Sequence, residues 1–165
     1  MASIQPHLTG ARVQLDAAEA EILRHLFGEM KELLDNEAAI EDEVIDRLFP
    51  RAYAEADDAD AFSELVGQEL KDGKLGAIAA VLSLLGAGGP VETELPRSEI
   101  DRWLTALTDL RLALGTRLEV TEEKMSAELD PDDPQAGGMA LLHWLGWMQE
   151  MFINAITKVS DDGRT

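Results

Sequence analysis

The chain has 165 residues, enough for one domain with a single sizeable core, and its 45% hydrophobic and 28% charged fractions are ordinary for a globular protein. The charge is not ordinary: 33 acids against 14 lysines and arginines leave a net charge of −19, a field that repels phosphate backbones and anionic lipid headgroups. The basic residues are scattered singly, so direct nucleic-acid binding is disfavoured, and the absence of cysteine removes disulfides, thiolate catalysis and zinc-thiolate sites.

Met1 to His7 lacks the basic-then-apolar pattern of a signal peptide. The longest apolar run, Leu75 to Ala87, is shorter than the roughly 20 residues needed to span a bilayer. A cytoplasmic protein with no membrane contact is expected.

Residues 1–15 carry few helix signals. Thr9-Gly10 reads as a turn, and Ala11 to Leu15 alternates apolar and polar as one short strand. Asp16 with Glu19 three residues on forms a capping box, opening a helix whose apolar face is Ile22, Leu23, Leu26, Phe27, Met30, Leu33 and Leu34. A shorter helix is expected at 40–49, where Val44, Ile45 and Leu48 recur before Pro50. The acidic start Asp57-Asp58-Ala59-Asp60 suits the positive end of a helix dipole, and that helix runs through Phe62, Leu65, Val66 and Leu70. Asp72-Gly73-Lys74 marks a break, after which Leu75 to Leu85 resumes as a nearly uncharged, buried helix ending at Gly86 to Pro90.

Val91 to Leu95 alternates and can pair with the first strand. Ser98, with Asp101 three residues on, opens a long central helix to Leu118 whose core face is Trp103, Leu107, Leu110 and Leu114. The stretch 121–128 is a candidate continuation, followed by an exposed loop, Asp130-Pro131-Asp132-Asp133-Pro134. The last helix is expected at 135–159, with Leu141, Trp144, Leu145, Met148, Phe152 and Ile156 on its core face.

Few groups suggest chemistry. Arg111 and Arg117 lie on the most apolar helix. A guanidinium beside a core costs several kcal/mol unless paired, so Arg111 should be at least half buried and meet a carboxylate from another helix. The pair is read as a buried ion pair or an anion site. Leu112 falls opposite the core stripe, which fits a helix touched on several sides and equally a partner surface. Gly115 suggests close helix approach. Trp147 and Met151 flank the last helix's stripe, and they suit core edge or interface.

His7, His25 and His143 have no metal-ligand spacing. His25 reads as a solvated histidine paired with Glu21 or Glu29, and His143 as a weak candidate base. Asp58, Asp60, Glu64 and Glu69 mimic a calcium loop only loosely, with Phe62 and Ser63 at the wrong positions. No nucleophile triad, phosphate loop or cofactor fingerprint is present. Residues 29–72 hold fifteen acids and four bases. This is either a solvated surface or, around Glu37, Glu41, Asp42 and Glu43, a face that steers a basic protein towards the chain.

Three stretches carry a resemblance: Arg47-Leu48-Phe49-Pro50-Arg51-Ala52-Tyr53, Trp103 to Leu118 with its run Asp-Leu-Arg-Leu-x-Leu-Gly-x-Arg-Leu, and Trp144-Leu145-Gly146-Trp147-Met148-Gln149-Glu150. Together they resemble an actinobacterial domain-of-unknown-function family typified by the oxidative stress regulator AosR. The resemblance implies a regulator that acts with an alternative sigma factor and carries a cysteine pair as its redox switch. This chain has no cysteine, so any signal it takes must differ or its partner binding must be constitutive.

The expected fold is mainly α, a single domain over 1–165 with about five or six helices in one bundle, a small two-stranded antiparallel ribbon from 11–15 and 91–95, and flexible ends at 1–9 and 160–165. The expected function is that of a non-enzymatic regulatory protein without a cofactor, contacting a basic transcription factor or sigma factor and open to homo-oligomerisation. A small-molecule or peptide-binding helical module is the alternative.

Overall fold

The computed structural model describes residues 2–35, 60–119, 121, 123 and 132–162, with side chains at 60–67 and 159–162 left aside. In chain order the elements are β1 (Ser3–His7), β2 (Gly10–Leu15), α1 (Ala17–Asp35), α2 (Asp60–Leu85), β3 (Val91–Leu95), α3 (Arg97–Arg117) and α4 (Ala136–Asp162). The molecule is mainly helical, but the described helices number four rather than five or six. The helix expected at 40–49, the acidic residues Glu37, Glu41, Asp42 and Glu43, the Arg47–Tyr53 stretch and most of 121–128 lie outside the described residues.

The ribbon has three strands, not two. β2 is central, antiparallel to β1 with Ile4 opposite Val13 and to β3 with Leu15 opposite Val91. Residues expected to be a flexible end therefore form an edge strand. Its only buried residue is Ile4, and Pro6 sits where an edge strand tolerates a missing donor. A two-residue loop joins His7 to Gly10, with Leu8 in a left-handed conformation (φ 51°). Ala11, Val13, Leu15, Val91 and Leu95 turn into the core, and α4 crosses β1 and β2.

The Asp16 capping box forms as expected: Asp16 N donates to Glu19 Oε1 at 3.0 Å, and Glu19 N donates to Asp16 Oδ1 at 2.8 Å. On the buried face of α1 lie Leu23, Phe27, Met30 and Leu34. One turn in, the Arg24 side chain crosses to the C-terminus of α2. Its Nη2 donates to Leu85 O at 2.6 Å and to Gly89 O at 2.8 Å, and its Nε lies within 3.2 Å of Leu85 O and 3.1 Å of Gly86 O. A cation there meets the unpaired carbonyls and the negative end of the helix dipole. Gly86, at φ 71°, supplies the left-handed residue that stops α2.

No break occurs at Asp72-Gly73-Lys74, because α2 is continuous from Asp60 to Leu85. Gln68 donates to Asp72 Oδ1 one turn on (2.9 Å), and Lys74 reaches α3, where its Nζ donates to Asp109 Oδ1 at 2.7 Å. Both side chains of this pair are nearly buried. The expected all-round burial of 75–85 is only partial: Ala77, Ile78, Val81 and Leu85 face inward, while Gly76, Ala79 and Ser83 are exposed.

α3 begins at Arg97 after Pro96, without a side-chain cap, so Ser98 lies inside the first turn. Ile100, Trp103, Ala106, Leu107, Leu110 and Ala113 are its buried apolar residues, and Leu114 is only partly covered. Trp103 tilts against Phe152 of α4, with ring centroids 5.6 Å apart, a pairing worth about 1 kcal/mol beyond area burial. On α4 the stripe is Met139, Leu142, Leu145, Met148, Phe152, Ala155 and Ile156, with Leu141 and Trp144 at its margin. α4 continues to Asp162, past the expected end at 159, since no glycine or proline intervenes before Gly163.

Candidate interaction groove

α3 and α4 lie against one another and leave an open groove of about 420 Å³ lined by Arg111, His143, Gly146, Trp147, Gln149, Glu150 and Ile153. Arg111 comes from α3 and the other six residues from α4. Two of the stretches that carried the resemblance thus meet in space.

Arg111 is partly buried, as its neighbours Leu104 and Leu107 predict, but its partner is not a carboxylate. Its Nη1 donates to the side-chain amide oxygen of Gln149 at 2.7 Å, and Gln149 Nε2 donates in turn to Thr108 Oγ1 at 2.7 Å. The nearby acid Asp109 points away, to Lys74 of α2, and that is the buried ion pair of this helix. The expected Arg111 ion pair is therefore replaced by a hydrogen-bonded chain from α3 to α4 and back, in which the arginine's acceptor is uncharged. Gly146 makes the contact feasible. A Cβ there would lie 3.3 Å from Arg111 Cζ and Nη2, so the guanidinium rests directly on the α4 backbone. Among the described residues Arg111 Nε is buried without an acceptor, and no carboxylate lies within bridging distance of the group.

Arg117 does not join this site. It is exposed in the last turn of α3, where its charge complements the helix dipole, and it lines a separate trough between α1 and α3 with Met30, Leu33 and Leu114. Six residues separate the two arginines, so the helix turns them to different sides.

Trp147 is half-buried, packed on the core and lining the groove, whereas Met151 is half-buried against the core without reaching the groove lining. Leu112 is 39% exposed. It lies one turn beyond Thr108, which bonds Gln149, but it is not one of the residues that line the groove. Ile153, 51% exposed, completes the apolar rim, and reading the sequence does not single it out. A β-branched residue off the core stripe was its only signal. Gln149 carried none, and Gly146 was a helix-weakening glycine beside two bulky residues. Close approach was expected instead at Gly115, where a Cβ would meet nothing within 4 Å.

The histidines divide. His25 is exposed and 3.3 Å from Glu29, the solvated pairing expected of it. His143 is exposed at the groove. His7 lies 3.0 Å from Glu94 on the sheet surface, where Glu94 also takes a bond from Arg12 at 2.9 Å. That bond holds the Glu94 carboxyl below its ordinary range, with desolvation opposing, and raises the Arg12 guanidinium. Asp16 is likewise held low, first by the Glu19 backbone N–H. None of these shifted groups lines the groove. Among the described residues no group of three or more His, Asp or Glu side chains is placed to hold a metal ion, and no helix is long and apolar enough to cross a membrane.

Residues 1–156 match a protein family described as a domain of unknown function (DUF2017). The chain belongs to that family. No curated protein and no solved structure matches it. In this DUF2017 member, the groove offers a cation, a carboxylate, a hydrogen-bonding amide, an indole and one exposed aliphatic side chain. Such a set can recognise a folded or helical protein surface: the apolar groups supply contact area and the polar ones fix register.

Proposed function

We propose that this DUF2017 chain is a non-enzymatic regulatory protein that acts by docking a protein partner on the α3–α4 groove. The partner is a basic transcription factor such as an alternative sigma factor, the class suggested by the likeness to AosR-type oxidative stress regulators. The observation that carries the reading is the grouping of Trp147 and the exposed Ile153 in one groove with a guanidinium that has no carboxylate partner among the described residues. The net charge of −19 supports it, because a strongly acidic molecule draws a basic partner in quickly. Glu37, Glu41, Asp42 and Glu43 are the acids assigned to that steering. With no cysteine among the 165 residues, the proposed regulation does not run through a thiol in this chain.

The test measures association and dissociation of the purified chain with purified alternative sigma factors from the same organism. Trp147→Ala is expected to speed dissociation by roughly tenfold or more. Neutralising the four acids is expected to slow association, increasingly so at low salt. Absence of binding at micromolar concentrations to every such factor overturns the reading. A second reading, a small-molecule or peptide-binding module, is favoured only by the groove's volume of about 420 Å³, which falls within the range of small-ligand sites.

A further inference from the structure

We infer that the α3–α4 groove is also a self-association face, where a second copy of the chain docks about a two-fold axis and Arg111 of each copy meets Glu150 of the other. The inference is independent of the regulatory reading, since it concerns the purified chain alone.

A two-fold interface presents the same patch from both sides, so the patch must be complementary to itself. A surface with 33 acids and 14 lysines and arginines fails that test over most of its extent, because like charges would face one another. The groove is different. It places a cation and an anion side by side, Arg111 from α3 and Glu150 from α4, and they do not bridge each other. Arg111 spends one donor on the neutral Gln149 amide and has three more N–H groups on Nη1 and Nη2, its Nε being buried. Glu150 is exposed and makes no ion pair among the described residues. Each is an unanswered half of a pair that a two-fold rotation completes twice.

The surroundings suit the same occupant. Ile153, one of the large exposed apolar side chains, lines the groove together with the half-buried Trp147, which packs on the core. A stable dimer buries about 800 Å² on each copy, well under a tenth of this chain's 10290 Å² surface. The acidic remainder of the molecule sets the salt dependence. Two copies at −19 repel at long range, and the screening length shrinks from about 30 Å at 0.01 M salt to about 10 Å at 0.1 M. Dimerisation therefore strengthens as salt rises over that range, the reverse of docking to a basic partner.

Sedimentation equilibrium on the full chain tests this. The expected result is a species of twice the 18.0 kDa chain mass at concentrations on the order of 100 μM, more populated at the higher salt. Arg111→Glu and Glu150→Arg are each expected to weaken it by on the order of tenfold or more. An equimolar mixture of the two variants recovers it, because both cross-contacts then join opposite charges. Circular dichroism checks that each variant is folded. If Arg111→Glu does not fold, Ile153→Asp, at an exposed position, takes its place and is expected to abolish the dimer. A wild-type chain that stays at the single-chain mass, a Glu150→Arg variant that dimerises as well as wild type, or a mixture of folded variants with no recovery would each overturn the inference.

Discussion

Arg24 and Arg111 are both arginines drawn down against a neighbouring helix, the first from α1 onto the end of α2 and the second from α3 onto α4. Arg24 spends its guanidinium on the carbonyls of Leu85, Gly86 and Gly89, with Glu21 3.5 Å from Nη1. Arg111 holds one amide oxygen and keeps a buried Nε without an acceptor. The first is saturated by its own chain and fastens α1 to the end of α2. The second leaves its outer nitrogen, Nη2, without an acceptor among the described residues, beside the exposed Ile153. A guanidinium whose nitrogens are all engaged is structural, and one with an open outer nitrogen at a groove is available to something else.

The comparison is sharpened most by the third arrangement, Lys74 with Asp109. Lys74→Met strands a buried carboxylate whose second oxygen already lacks a partner, and it should cost roughly 3–5 kcal/mol in urea unfolding. Adding Asp109→Leu should recover most of that loss. Next in size, Arg24→Ala should cost roughly 2–3 kcal/mol, because it leaves several carbonyls at the end of α2 without their donor. Arg111→Met should cost less, roughly 1–2 kcal/mol, since the stem volume remains and one hydrogen bond from the cation to a neutral amide is lost. Thermal unfolding of the two arginine variants decides it. Equal losses would break the distinction drawn between them.

The smallest effect lies on the sheet side. Asp16 and Glu94 are held below their ordinary values of 3.8 and 4.5 in the fold, so folding favours their ionised forms. Their contribution is present above those values and is lost as pH falls below them through the lowered folded values. Stability measured across that acid range should decline less steeply in Glu94→Gln than in wild type. Both groups lie at the surface, so the difference is a small one that added salt reduces.

Much of the helical frame was legible in the sequence because apolar residues recur with helical period. Leu23, Phe27, Met30 and Leu34 declare the buried face of α1, and Asp16 with Glu19 declares where it starts. Strand β1 was not legible, since it buries one apolar residue, Ile4, and contains Pro6. The continuity of α2 was hidden by Gly73, whose weak propensity is overridden by the Lys74 contact with α3. Trp147, at the groove, and Leu112, outside its lining, stood out by their displacement from the core stripes. Arg111 announced that it needed a partner but not which one, because Gln149 is neutral and lies on another helix. The Arg24 contact was invisible for a deeper reason: its acceptors are backbone carbonyls, which leave no mark in a sequence.

That contact has a chemical consequence. By joining residue 24 to residues 85–89, Arg24 ties together distant parts of the chain as a disulfide does, in a chain that has no cysteine. A guanidinium on peptide oxygens neither takes up nor gives up electrons. This clasp therefore keeps its geometry whatever the redox state of its surroundings.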